Sequence, residues 1–132
     1  MATREREPLP TARKATNLAA EDALLGALIL DSGERGERIH GATAILRDTH
    51  AFASLENREI AEAMIELTRE AKPVDLVLLH ERLLQRGTLA EVGGVDRLIS
   101  LIEHVPTAKH AMHYARIVAS AWGLTEHELA LP

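Results

Sequence analysis

Seven histidines, a row of evenly spaced glutamates and the absence of cysteine decide what chemistry this chain can do. His110 and His113, three apart on a predicted helix with His104 shortly before them, are the one spacing that suits a shared metal ion. A zinc site needs a third and a fourth ligand at fixed spacing, and nothing else in the chain supplies them. The pair therefore reads as solvated or packed histidines, and a small metal-dependent enzyme is the weakest of three functional classes. Glu62, Glu66 and Glu70 resemble paired carboxylates, but general acid work needs a buried, perturbed carboxyl. The row lies off the apolar stripe of Ile60, Met64 and Leu67, so it is expected to be a solvated helix face. Gly93-Gly94 is followed by Val95-Asp96-Arg97, without the Lys-Ser or Lys-Thr ending of a phosphate-cradling loop. No catalytic residue, metal or cofactor is assigned, and ATP hydrolysis by these residues is not expected.

Composition points to helices. The chain has 132 residues, 46% of them apolar, with one Phe, one Tyr and one Trp. Apolar mass supplied mainly by Ala and Leu favours close helix packing over an aromatic-rich β-sandwich. Without cysteine there is no disulfide frame, and a reducing compartment is permitted. The longest apolar run, Ala23 to Leu30, is too short to span a bilayer, and the N-terminus lacks a secretory apolar core. A cytoplasmic location is expected. Residues 1–14 place Arg4, Arg6, Arg13 and Lys14 against Glu5 and Glu7, whereas the rest holds 11 basic and 18 acidic residues. So acidic a body is a poor phosphate binder, and tight binding to nucleic acid is not expected.

The elements that must position any site can be read in order. An all-α head of about five to six helices is expected over residues 17–123, between a flexible arm (1–16) and a short tail (124–132). Asn17 caps a first helix, LAAEDALLGALILD, with Leu18, Leu25 and Leu28 on one face and Leu24 alongside. Gly26 within it costs about 1 kcal/mol relative to Ala, which points to a close helix crossing. A second helix is predicted from Arg38 to Arg47, with Ile39, Ile45 and Leu46 inward. Ser54 caps a third, whose stripe is Ile60, Met64, Leu67 and Ala71. The stretch from Lys72 to Val118 has the clearest punctuation and is expected to organise the fold. Asp75 caps a helix with Leu76, Leu79 and Leu83 inward, and Gly87 stops it. Gly93-Gly94 then opens a helix with Val95, Leu98, Ile102 and Val105 inward. Pro106 ends that helix, and Thr107 is the expected cap of the last one, with its stripe at Ala111, Ala115, Val118 and Trp122.

These residues also carry a family resemblance. The run from Glu21 to Asp31, then Phe52, Pro73-Val74-Asp75-Leu76-Val77, Leu83, Gly87, Leu89, Glu91-Val92-Gly93-Gly94, Leu98, Leu101, Pro106-Thr107-Ala108 and Tyr114-Ala115-Arg116-Ile117-Val118 resembles the N-terminal domain of the DnaB-type bacterial replicative helicase. Each motif alone is weak, while their order over about residues 17 to 118 is specific. The chain departs from the family pattern in four places. The Ser32–His50 segment is a few residues longer, Ala53 stands where Tyr is usual, Asn57-Arg58 replaces His-Arg, and His110 replaces Asn.

The resemblance implies a helical head followed by a helical hairpin that forms the collar of a hexameric ring, pairs subunits and docks a primase or a loader. It also implies that the motor lies in a separate C-terminal domain. The second hairpin helix is not found after Trp122, and the opening Met1 slightly favours a free-standing relative. The leading function is a non-catalytic protein-interaction module of the replication machinery. The alternative is a free-standing helical regulator unrelated to replication, since fold does not fix function. Apolar residues of the last helix beyond its inward stripe, Met112, Ile117, Ala119 and Leu124, exceed what one head should cover. Self-association or partner binding is therefore expected through Met112, Tyr114, Ile117, Trp122 and Leu124.

Overall fold

The computed structural model describes residues 16–31 and 38–123. Among them every regular element is helical: α1 (Leu18–Asp31), α2 (Arg38–Leu46), a 3₁₀ turn (Thr49–Ala51), α3 (Leu55–Arg69), α4 (Leu76–Arg86), α5 (Gly94–Glu103) and α6 (Ala111–Trp122). Apart from Thr16, the expected arm and tail, with Leu124, lie outside the described residues.

Local chemistry fixes several of these limits. Asn17 Oδ1 accepts from the Ala20 N–H at 3.0 Å, Ser54 Oγ from Asn57 N–H at 3.1 Å, and Asp75 Oδ1 from Leu78 N–H at 2.8 Å. Each side chain takes a donor that the first helical turn leaves free. Gly87 ends α4, as expected from its sequence position. Gly93 (φ 104°) and Gly94 (φ 72°) make the turn into α5 with two successive left-handed residues, a conformation that side chains strain against.

The fold centres on α1 rather than on the later stretch. Ala20, Leu24, Leu25, Ala27, Leu28 and Ile29 are all buried, so α1 is covered around most of its circumference by α2, α3, α5 and α6. Leu18, expected inward, is instead half exposed at the helix start. The expected close crossing is present. A Cβ on Gly26 would lie 2.1 Å from the Leu101 carbonyl oxygen and 2.8 Å from its carbon, so α1 rests directly on the α5 backbone.

That contact explains a difference in α5. Leu98 and Leu101 are its buried residues, whereas Val95 is 40% exposed, because the α1 crossing turns the Leu101 side of the helix inward. Ile60, Met64 and Leu67 are buried on α3, while Ala71, beyond the helix end with φ 60°, is exposed. Thr107 does not cap α6. Its Oγ1 accepts from Lys109 N–H at 3.1 Å within the preceding turn, and His110 takes the cap position without a side-chain bond. α2 buries Ile39, Ala42 and Leu46 and lies along α6, with Gly41 against the Met112 thioether.

Candidate interaction site

The α6 residues expected to meet a partner do not share one surface. Trp122 is only 6% exposed and belongs to the core, and Ala119 is fully buried. Both readings are corrected by α1 and α2, which lie against α6 and cover the apolar excess that a second protein seemed needed to bury. Met112 and Tyr114 are partly buried against the core, and Ile117, 43% exposed, is the member that reaches solvent. Beside it, His110 and His113 are exposed with ring centroids 5.9 Å apart, and His110 meets Tyr114 edge to face at 6.3 Å. Among the described residues no three His, Asp or Glu side chains are gathered to hold a metal ion.

A polar joint that sequence periodicity missed sits at the start of α1. Glu21 is 1% exposed, and its carboxylate accepts from Ala53 N–H at 2.7 Å, Ser54 N–H at 3.3 Å and Asn57 Nδ2 at 3.2 Å. The Asn57 amide also donates to Asp22 at 3.0 Å. Arg97 donates to Asn57 Oδ1 at 2.6 Å and to Asp22 at 3.1 Å. The joint thus ties α1 to the head of α3 and to α5. A buried carboxylate is tolerable only with such donors. Its signal in the sequence was an acidic pair inside an almost wholly apolar helix. Asn57, a departure from the family pattern, is central to it, and Ala53, another departure, contributes only its backbone N–H.

The Glu row of α3 is partly solvated, as its spacing suggested, but it is also paired across to α4. Arg86 of α4 reaches Glu59, Glu66 and, at 3.2 Å, Glu62, while Arg82 bonds Glu66 at 3.2 Å and Glu70 at 2.7 Å. Thr49 and Thr88 hydroxyls donate to Glu62 and Glu59. Two arginines thus clamp four carboxylates and fix α4 on α3. The Arg86 hydrogen bond holds Glu59 below its usual range. Arg82, and then Lys72, lower Glu70 from 4.5 to about 2.

A carboxylate whose folded pKa lies below its unfolded one stabilises the fold above the unfolded value and stops doing so as pH falls through the folded value. For Glu70 that window runs from 4.5 down to about 2. The melting-temperature difference between the wild type and Glu70→Gln should be present at pH 6 and vanish near pH 2. Because Glu70 is substantially exposed, the difference should be small and shrink further in high salt. A difference that stays constant across that window would contradict the clamp.

A cavity of about 360 Å³ opens between α1, α2 and α3 over Leu25, Leu28, Phe52 and Met64. Its lining also includes Arg47, Arg69 and Arg86 together with Asp48, Glu62 and Glu66.

With this geometry in view, comparison with known proteins is decisive. Residues 13–120 match the DnaB-like helicase N-terminal domain. The chain belongs to that family. It is 36% identical over 102 residues to the replicative DNA helicase DnaB of Geobacillus stearothermophilus and 33% identical over 102 residues to the replicative DNA helicase DnaC of Bacillus subtilis. Each match covers 77% of this chain but 21% of the helicase, so the chain spans about a fifth of these relatives' length. The crystal structure of the N-terminal domain of DnaB helicase from Mycobacterium tuberculosis superposes with a TM-score of 0.76 at 32% identity, covering 83% of this chain and 72% of that one. The all-α reading and the family resemblance both hold. No described helix is long and apolar enough to cross a membrane.

Proposed function

We propose that this chain is a non-catalytic protein-contact module of the bacterial replicative helicase system, acting in the cytoplasm. The observation that supports this best is the family match across residues 13–120, which takes in α1 to α5 and all but the last two residues of α6. In that setting the head serves as a collar element or occupies a surface of the helicase, its primase or its loader. Its buried joint and Arg–Glu clamp act as structural ties that hold a rigid shape for those contacts. Self-association runs through the solvent side of α6, where Ile117 is the exposed apolar residue and Tyr114 flanks it.

The test combines co-purification with mass measurement. Full-length chain used as bait in its native cell should retain the helicase, primase or loader, and light scattering should give a mass above that of one chain. Ile117→Glu should reduce that mass while leaving helicity intact. Wild-type chain that is monomeric at high micromolar concentration would overturn self-association, an Ile117→Glu variant that keeps the wild-type mass would place it outside α6, and failure to retain any replication protein would overturn the wider proposal.

A further inference from the structure

We propose that the outward side of α4 and α5 is a docking surface for a basic amphipathic helix of another protein. Residues 76–104 contain Arg82, Arg86 and Arg97, and all three are bound inside the domain, by Glu66 and Glu70, by Glu59, Glu62 and Glu66, and by Asp22 and Asn57. The exposed charged side chains left on the segment are Glu81, Glu91, Asp96 and Glu103, none of them in an ion pair. Internal pairing has removed the positive charge from this side and left the negative charge in water.

The same segment holds Val77 (74% exposed), Leu84 (51%), Val95 (40%) and Ile99 (37%), four of the seven exposed large apolar residues among those described. Single exposed apolar residues mean little, but these follow helical spacing. Val77 and Leu84 are seven apart on α4, and Val95 and Ile99 are four apart on α5, so each pair shares a side of its helix. At about 100° per residue, each pair lies roughly 160° around its helix from the arginine that ties that helix inward. They therefore point away from α3 and α1.

Exposed apolar pairs on two packed helices, on a segment whose exposed charges are all carboxylates, fit a helix with an apolar stripe bordered by Lys and Arg, read by the helix-in-groove mode of recognition. Nucleic acid would be repelled by the same carboxylates. A second copy of this chain meeting the face about a two-fold axis would set acidic residues against acidic residues. The chain's own basic stretch, residues 1–14, carries Pro8 and Pro10 around Leu9 and does not supply an apolar helical stripe. This surface is inferred from charge and exposure, and it stands or falls separately from the replication assignment.

The probe is a fluorescent peptide of about 18 residues with Leu on one helical face and Lys on the other, and a counterpart with Glu for Lys, both titrated against the full chain by anisotropy. The wild type should bind the Lys peptide at least about tenfold more tightly than the Glu peptide. Val77→Glu with Leu84→Glu should weaken that binding by about tenfold although it makes the protein more negative, and Glu81→Lys with Asp96→Lys should weaken it similarly. Ile117→Glu on α6 should leave it unchanged. If the double Glu variant loses helicity, Val77→Glu alone provides the comparison. Unchanged or tighter binding by the Val77 variants would mean attraction by charge alone and overturn the proposal, as would equal loss in Ile117→Glu. A wild-type dimer dispersed by the Val77 and Leu84 changes would also overturn it, by making a second copy the occupant.

Discussion

Gly26→Ala should lower the melting temperature by about 8 °C, even though alanine is the better helix former. The propensity gain is about 1 kcal/mol. Against it, the new methyl group would sit 2.1 Å from the Leu101 carbonyl oxygen, far inside contact distance. The obstacle is backbone, which no rotamer change can move aside. α1 and α5 must separate, which also disturbs the Val105 contact next to the crossing. Overpacking that forces backbone to shift costs about 1–3 kcal/mol, and an obstacle of backbone atoms lies at the upper end, so a net loss of about 2 kcal/mol is expected after the propensity gain. In a domain of this size, between the ranges where each kcal/mol corresponds to about 4–8 °C and about 2–4 °C, the scale is about 4 °C per kcal/mol. Thermal unfolding followed by circular dichroism decides the point. An unchanged or raised melting temperature would mean that α1 does not cross α5 at Gly26.

Glu21→Ala should be at least as damaging, for an electrostatic reason. The carboxylate satisfies the part-buried N–H groups of Ala53 and Ser54 and shares the Asn57 amide with Asp22. Removing it leaves donors without acceptors beside Arg97, and each such buried group costs about 1–3 kcal/mol. A total loss of about 3 kcal/mol is expected. Glu21→Gln should fall between the two, since its oxygen can take one N–H while its amide turns donors toward the other. Chemical denaturation of the three proteins tests the order. Equal stability of wild type and Glu21→Ala would show that the joint contributes nothing to the fold.

These two positions also show what could be read without coordinates. Gly26 was legible because it breaks a local rule: glycine in mid-helix is unfavourable unless something needs the space. Ser54 and Asp75 were legible because a cap bond reaches only three residues along the chain. The central place of α1 was not, since burial on several sides erases the one-sided periodicity that marks a surface helix. Glu21 was hidden for a related reason. Its donors lie more than 30 residues away at Ala53, Ser54 and Asn57, a pairing that only the fold creates.

The α6 surface shows the opposite error. Its surplus of apolar residues was real, but Ala119 and Trp122 are covered from within the chain, which leaves Ile117 exposed. α2, the element least marked in the sequence, runs along α6 and packs at Met112, while Trp122 joins the core. Local spacing cannot tell an intramolecular cover from an intermolecular one. The Glu row of α3 hid its partners in the same way, because Arg82 and Arg86 come from the next helix.

The central claim, that this chain works by contact within the replicative helicase system and not by catalysis, is tested most directly with purified components. Sedimentation velocity would be run on the full chain mixed in turn with the helicase, the primase and the loader of the same cell, with ATP turnover assayed on the chain alone. The expected result is a stoichiometric complex with at least one of the three at micromolar concentration, weakened by Gly26→Ala, and no turnover by the chain alone. Independent sedimentation in all three mixtures, or ATP hydrolysis by the isolated chain, would contradict it.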